Sequence, residues 1–525
     1  MRKIPANYAI ALTAALGLFM AVLDNTIVNV ALTPMASALK TDISTIQWVV
    51  TGYFLAQAAV IPAAGYFSNR FGSKRIFILC LAFFTLGSLL CGLAQNETML
   101  IIFRIFQGIG GGALFPLAQA ISFQAFKPSE RAAASALVGI PVLLAPAFGP
   151  TIGGLLTVNF GWEYIFFINV PVGAVAVFLA YRIFPSDKPA EENKGKGFDY
   201  VGLALSIVGV LGIVYAFTMV SETQPGTATA TNPRGDIYGW GYWGVWAFMS
   251  AGIVLLVAFA LYELFVSKDP VLDLRLFKNY NFTISSVVAW LSAVVVFGSI
   301  FMMPVFLEQV RVPHLSALDA GLALMPQGLA AAVAVGFSGK LFNTLGIRYM
   351  VLIGSVLLIF SSWELSQLTP STDGTTLMPW LIIRGLGFGL TAIPVQTLAL
   401  QSISGPALAK GSSLFNVTRQ IASSIGIALL ATLFVQQTSQ HATDLAKSAL
   451  QTAGNAVADP NNPVVAAARE KLVAQAGTFG INDVFTFVTI GTVGMVLLAF
   501  ALPSRKRKAE ALEGETQHEP VFMAE

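Results

Sequence analysis

The stretch YAIALTAALGLFMAVLDNTIVNVAL, Tyr8 to Leu32, carries a single charge, Asp24, in a run long enough for a helix to cross the hydrocarbon core of a bilayer. A carboxylate at that depth costs several kcal/mol unless it is protonated, paired or hydrated. Asp24 is therefore either a packing acid beside a small wet cavity or a reversible proton site. The rest of the chain extends the pattern: its 525 residues are 55% hydrophobic and 11% charged, with mean hydropathy +0.72, whereas a soluble domain is about 25% charged. The reading is an all-α, polytopic membrane protein.

Runs of about 20 apolar residues predict fourteen spans, near 8–32, 46–67, 76–95, 98–122, 131–157, 163–184, 199–220, 242–265, 283–308, 317–340, 348–368, 377–402, 410–436 and 480–502. An even number places both termini on one side. With the N-terminus inside, inner segments hold 21 of the 30 Lys and Arg and outer segments hold 6, while Arg104, Arg384 and Arg419 lie within spans. Both termini are thus expected in the cytoplasm. The net charge of +3 then reflects topology and gives no reason to expect a nucleic-acid partner. Arg2, Lys3 and the apolar stretch behind them mimic a signal peptide, but no small-residue cleavage site follows, so the segment reads as a retained first helix. Cys80 and Cys91 share the third span, about 16 Å apart along a helix, too far for a disulfide. His314, His441 and His518 are scattered through loops and tail, so neither a metal site nor a cofactor is expected.

Charged connections divide the chain into 1–184, a six-span block; 185–282, a linker beginning PSDKPAEENKGKG and two inserted spans; 283–502, a second six-span block with a long external loop at 437–479; and 503–525, a charged tail expected to be disordered. The tail's basic start suits lipid headgroups. The two blocks look related. GYFSNRFGSK at Gly65–Lys74 recurs as GKLFNTLGIR at Gly339–Arg348, and Pro116 and Pro128 match Pro394 and Pro406. Repeated six-span halves predict a pseudo-twofold transporter whose substrate path runs between them. The 437–479 loop, helical and broken at ADPNNP, reads equally as a docking site or a solvated flap.

LDNTIVNVAL at Leu23–Leu32 resembles the first-span signature of the fourteen-span drug:proton antiporters of the major facilitator superfamily. GYFSNRFGSKR resembles that superfamily's loop between spans two and three, FRIFQGIGGG its fourth-span motif and APAFGPTIGG its fifth-span antiporter motif. WEYIFFINVPVG, PVLDLRLFKNYNFT and NVTRQIASSIG extend the likeness through nearly the whole chain, and EmrB-type exporters match the pattern best. Asn69 and Ser73 depart from the usual acidic and basic residues of the loop, Ala145 from a frequent Gly, and Glu163-Tyr164 from a frequent Arg-Trp. The resemblance implies a major facilitator fold of two six-helix bundles plus two inserted helices. It also implies a periplasmic adaptor and an outer-membrane channel where the source has two membranes.

Arg104 and Asp24 lie at matching depths in spans of opposite direction, so they are expected to pair or to share a water if the helices adjoin, as the resemblance implies. Hydrocarbon favours the neutral acid and Arg104 the carboxylate, so opening the site to water on one side would switch its proton occupancy. A second reading has Arg104 bracing backbone carbonyls. Asn25, Asn29, Gln107, Arg384, Asn416, Arg419 and Gln420 are candidates for the substrate cavity or its polar network. Pro146, Gly149, Pro150, Gly153 and Gly154 predict a kinked, close-packed fifth span, by resemblance the antiporter hinge. Gly65, Asn69, Arg70, Gly72, Lys74 and Arg75 form the candidate cytoplasmic gate loop. Arg384 is the repeat counterpart of Arg104, and no counterpart of Asp24 occurs in the ninth span.

One deep acid against three arginines points to hydrophobic neutral or weakly acidic cargo rather than dications. The expected function is proton-coupled export of hydrophobic drugs or other toxic amphipathic compounds by alternating access, from the cytoplasmic (inner) membrane. An exporter dedicated to one metabolite or lipid-like compound fits the same residues. A membrane-embedded enzyme finds no carboxylate dyad, His or Cys pair in the spans, and a receptor finds no extramembrane signalling domain.

Overall fold

The computed structural model describes residues 5–41, 43–127, 130–185, 199–222, 224, 238–267, 269–401, 403, 407–453 and 463–503. The predicted linker beyond 185, most of ADPNNP, the tail, Pro128 and Pro406 lie outside them. Among the described residues the regular elements are helices. The first bundle comprises α1 (Ala6–Ala38), the short α2 (Ile43–Ile46), α3 (Trp48–Phe71), α4 (Ser73–Gly92), α5 (Glu97–Ala125), α6 (Arg131–Asn159), α7 (Tyr164–Phe167) and α8 (Asn169–Ile183). Two inserted helices, α9 (Tyr200–Ser221) and α10 (Trp243–Phe265), follow. The second bundle comprises α11 (Tyr280–Ser292), α12 (Gly298–Val305), α13 (Ala317–Thr344), α14 (Ile347–Leu365), α15 (Gly374–Gln401), α16 (Ala407–Ala453) and α17 (Pro463–Ala499).

Local sequence sets the ends of these helices. The Asn96 side chain accepts from the Met99 amide to start α5, Asp199 accepts from Gly202 to start α9, and Ser316 accepts from Asp319 to start α13. At the turn between α3 and α4 Gly72 adopts φ 93°, and at the turn between α13 and α14 Gly346 adopts φ 80°. These two glycines occupy matching places in the sequence repeat, where only a residue without Cβ takes that backbone without strain.

Among the described residues twelve helices are long and apolar enough to cross a membrane, thirteen when the bent α6 counts as one span. The predicted ninth span, 283–308, is helical but broken, and so is not among these long helices. There α11 gives way to a π-helical turn, Ala293–Phe297, then to α12 and a second π-helical turn, Phe306–Val310. The run AVVVF is rich in β-branched residues and Pro304 lies inside α12, so regular α-geometry is interrupted twice. The 437–479 segment is helical on both sides of 454–462, as the ends of α16 and α17.

The bundles meet along two reciprocal seams, α6 against α13 and α3 against α16, and α9 packs over the second seam. At the end that carries both termini one apolar cluster runs through both bundles, with Tyr66, Phe123 and Phe126 from the first and Val395, Leu398 and Phe415 from the second. Away from that end the fully buried clusters divide by bundle, one around Leu23, Ile27 and Phe166 and the other around Phe306, Leu307 and Phe485, with Leu143 of α6 packed against the latter.

Candidate functional site

Asp24, halfway along α1, is fully buried, and so is Arg104 on α5. The Arg104 Nη1 donates to Asp24 Oδ2 at 2.5 Å and to Gln107 Oε1 at 2.8 Å, and its Nε donates to the Val49 carbonyl at 3.0 Å. Asp24 Oδ1 accepts from Gln107 Nε2 at 3.1 Å and from Asn169 Nδ2 at 2.8 Å. The guanidinium lies 4.0 Å from the Tyr53 ring centroid and 5.6 Å from that of Phe166. Ser88 accepts from Asn169 at 3.1 Å and donates to the Phe166 carbonyl at 2.9 Å. Both carboxylate oxygens therefore have donors, and the pair forms a closed polar knot inside apolar helices. A buried ion pair survives only with this kind of complete hydrogen bonding.

The glycines of FRIFQGIGGG bring Arg104 within reach. A Cβ at Gly108 would meet the Tyr53 carbonyl at 2.7 Å, one at Gly112 the Gln57 carbonyl at 2.5 Å, and one at Gly110 the Cys80 carbonyl at 2.5 Å. With hydrogen there, the α5 backbone sinks between α3 and α4. From the other side α6 presses on α1: a Cβ at Gly149 would overlap the Thr26 side chain, with Thr26 Cβ at 2.6 Å, and one at Gly153 would lie 3.0 Å from the Ile27 carbonyl. The α6 axis turns by 45° between Ala145 and Phe148, beside Pro146. Its far side faces the second bundle, where Pro150 Cβ lies 2.5 Å from a Cβ built on Gly321 and Gly154 looks onto Leu318.

The other predicted residues separate into groups. Asn25 and Asn29 lie on α1 away from the knot: Asn29 is exposed and donates to the Asn25 carbonyl at 3.2 Å, and the Asn25 Oδ1 is buried without a hydrogen bond. Arg384 is buried in the second bundle, donating to Ser362 at 3.0 Å and to Ser299. On α16 Arg419 donates to Asn416 at 3.2 Å and lies 5.1 Å from the Phe115 ring of the first bundle, with Gln420 half-buried beside it. In the gate loop Gly65 abuts the Ala409 carbonyl of α16, Arg70 donates to the Tyr66 hydroxyl at 3.4 Å and Lys74 donates to the Phe184 carbonyl at 2.6 Å. Asn69 lies in the last turn of α3, and Arg75 is exposed.

Sequence reasoning passed over Asn169, Tyr53 and Ser88. Asn169 stands in the quoted motif WEYIFFINVPVG, so a lone amide in an apolar run was a readable signal. It also passed over the hydrogen bonds that join the bundles at the terminal end. Arg131 donates to the carbonyls of Leu400, Gln401 and Ile403, Gln396 to Gln119 at 2.6 Å, Thr397 to Ser135 at 2.7 Å, and Ser412 to the Pro116 carbonyl at 3.1 Å. Nearby, the buried Lys410 of α16 pairs with Asp269 at 2.7 Å, and the Asp199 amide donates to Tyr66 at 3.0 Å. These contacts tie the inserted helices to both bundles.

Comparison with known proteins gives a Major Facilitator Superfamily match over residues 14–427. The "Multidrug resistance protein B homolog" of Mycobacterium tuberculosis is 34% identical over 420 residues, 80% of this chain and 74% of that protein. The "Multidrug export protein EmrB" of Escherichia coli is 31% identical over 448 residues, 83% of this chain and 82% of that protein. The "Fatty acid resistance protein FarB" of Neisseria gonorrhoeae is 30% identical over 444 residues, 83% of each.

Proposed function

Since the chain belongs to the Major Facilitator Superfamily, we propose that it is a multi-pass exporter of hydrophobic small molecules, driven by protons through Asp24. The buried Asp24–Arg104 knot is the observation that carries this reading. The names of relatives at 30–34% identity, multidrug and fatty acid resistance proteins, support the export of amphipathic compounds. Asp24 is the acid paired with a buried arginine among the described residues of the spans, while the buried Arg384 has no acidic partner, which supports neutral or weakly acidic cargo.

In the proposed cycle a proton reaching Asp24 neutralises the carboxylate. Its hold on Arg104 weakens, and the guanidinium keeps the Val49 carbonyl and Gln107 as acceptors. The neutral acid can then sit in an apolar site at far lower cost than the ion. Thr26 and Ile27, next to Asp24 on α1, contact Gly149 and Gly153 of α6, so a shift of α1 reaches the bent helix. Pro150 and Gly154 of α6 face α13, so the same movement reaches the seam between bundles. Alternating access follows when the seam opens at the terminal end and closes at the other. In this reading both termini are cytoplasmic, the membrane is the cytoplasmic one, and a periplasmic adaptor and outer-membrane channel join where the source has two membranes.

The test is transport into proteoliposomes under an imposed pH gradient, with a membrane-impermeant anionic dye, a neutral dye and a dicationic dye as cargo. Gradient-driven transport of the first two, lost in Asp24→Asn, is expected. Undiminished proton-driven transport in that variant, at equal protein, refutes the role of Asp24, and preferred dication transport refutes the cargo class.

A further inference from the structure

The second bundle rebuilds the Asp24 site with its acid missing. Arg384 on α15 meets α12, α14 and α17 much as Arg104 meets α1 and α7, with α4 joined to the first knot through Ser88 and Asn169. Its guanidinium lies 5.4 Å from the Phe485 ring, as that of Arg104 lies 5.6 Å from Phe166. It donates to Ser362 of α14, where Ser88 of α4 belongs to the first knot. In the place of Asp24 stands Ser299, whose hydroxyl accepts from Arg384 Nη2. No carboxylate among the described residues pairs with Arg384, which is 1% exposed, and its Nε has no acceptor.

A buried guanidinium with only two neutral hydroxyls as partners is costly, because the charge has left water without meeting an opposite one. The Ser299 hydrogen is committed to the Val295 and Val296 carbonyls at 2.8 Å each, which turns its lone pairs to Arg384. Ser362 also accepts from Arg384, and its own hydrogen remains for a further acceptor. The helix next to Ser299 is π-helical at Ala293–Phe297, whereas α1 is continuous through Asp24. Such π-turns widen a helix locally and recur at binding sites.

We propose that Arg384 and the Ser362 hydroxyl, with Ser299 holding the guanidinium in place, form a binding site for one small monovalent anion, which supplies from outside the counter-charge that Asp24 supplies within the first bundle. Chloride and the carboxylate head of an acidic cargo share the required chemistry: one negative charge and acceptors for the guanidinium and the Ser362 hydroxyl. The site does not depend on proton coupling at Asp24, because it is defined by charge and hydrogen-bond balance inside the second bundle.

Thermal unfolding of the purified full chain in sodium HEPES, whose bulky sulfonate offers no carboxylate, at fixed ionic strength and titrated with chloride or with hexanoate, tests this. Saturable stabilisation is expected, rising with anion concentration as for any ligand of the folded state. Chloride alone acting marks an inorganic ion site, and hexanoate acting in competition with chloride marks a site for the cargo head. Arg384→Gln should weaken the half-saturating concentration by about tenfold or more, the loss of one charged hydrogen-bonding partner. Ser299→Asp should restore an internal ion pair, keep the folded protein stable without added chloride or hexanoate and abolish the anion response. It keeps the test decisive if Arg384→Gln fails to fold. Melting that ignores both anions in the parent protein, or an unchanged anion response in Ser299→Asp, overturns the proposal.

Discussion

At the scale of single residues, the Asp24–Arg104 pair is a closed hydrogen-bonding account, and its parts are unequal when removed one at a time. Arg104→Gln leaves the Asp24 carboxylate facing only Gln107 and Asn169, so it should destabilise the folded protein by about 3–5 kcal/mol, the usual cost of orphaning a buried charge. Asp24→Asn in the same background removes the stranded charge and should recover a good part of that loss. Denaturation of the parent, both single variants and the double variant gives the coupling directly. Strictly additive losses would mean the pair contributes nothing jointly and is merely two residues in one pocket. Neither single loss speaks to transport by itself, which is why the proteoliposome experiment reads coupling separately from stability.

At the scale of elements, glycines decide how close helices come, and the effect is position-specific. Gly149 and Gly154 lie on the same bent helix. Gly149→Ala drives a Cβ into the Thr26 side chain, which is β-branched and stiff, and should cost about 1–3 kcal/mol by overpacking. Gly154→Ala meets Leu318 at an ordinary 3.8 Å and should change stability by no more than about 0.5 kcal/mol. Melting of the two variants side by side checks this, and equal losses would remove the special role of the Gly149 contact. Much of this level was legible in the sequence. The motif APAFGPTIGG foretold a bent, tightly packed helix, and the repeat foretold the matched turns at Gly72 and Gly346. Asp24 and Arg104 were readable as a pair because charges are scarce in apolar runs. Asn169 and Ser299 were less visible: a neutral amide or hydroxyl carries little hydropathy signal, and its partner is fixed only by packing. The break at Ala293–Phe297 escaped because an apolar, β-branched run reads the same whether the helix is α or π.

At the scale of the whole molecule, one buried cluster fuses the bundles at the end bearing both termini, while the fully buried clusters elsewhere divide by bundle. A transporter that alternates must break this fusion once per cycle, and the hydrogen-bonded contacts show where. Ser135 of α6 and Thr397 of α15 face one another across the joint, their hydroxyls 2.7 Å apart. That separation lets cysteines at the two positions form a disulfide with a small backbone shift. The native Cys80 and Cys91 are free, so both are first replaced by alanine and the background is verified to transport. Ser135→Cys with Thr397→Cys, once oxidised, should then hold the terminal end closed and stop transport almost completely, and reductant should restore it. The covalent bond outweighs any gradient the membrane supplies, since about 2.3 kcal/mol is available per charge per 100 mV. Transport that continues at the same rate in fully crosslinked protein would mean this joint does not open during the cycle, and cargo would then need a path around the fused end.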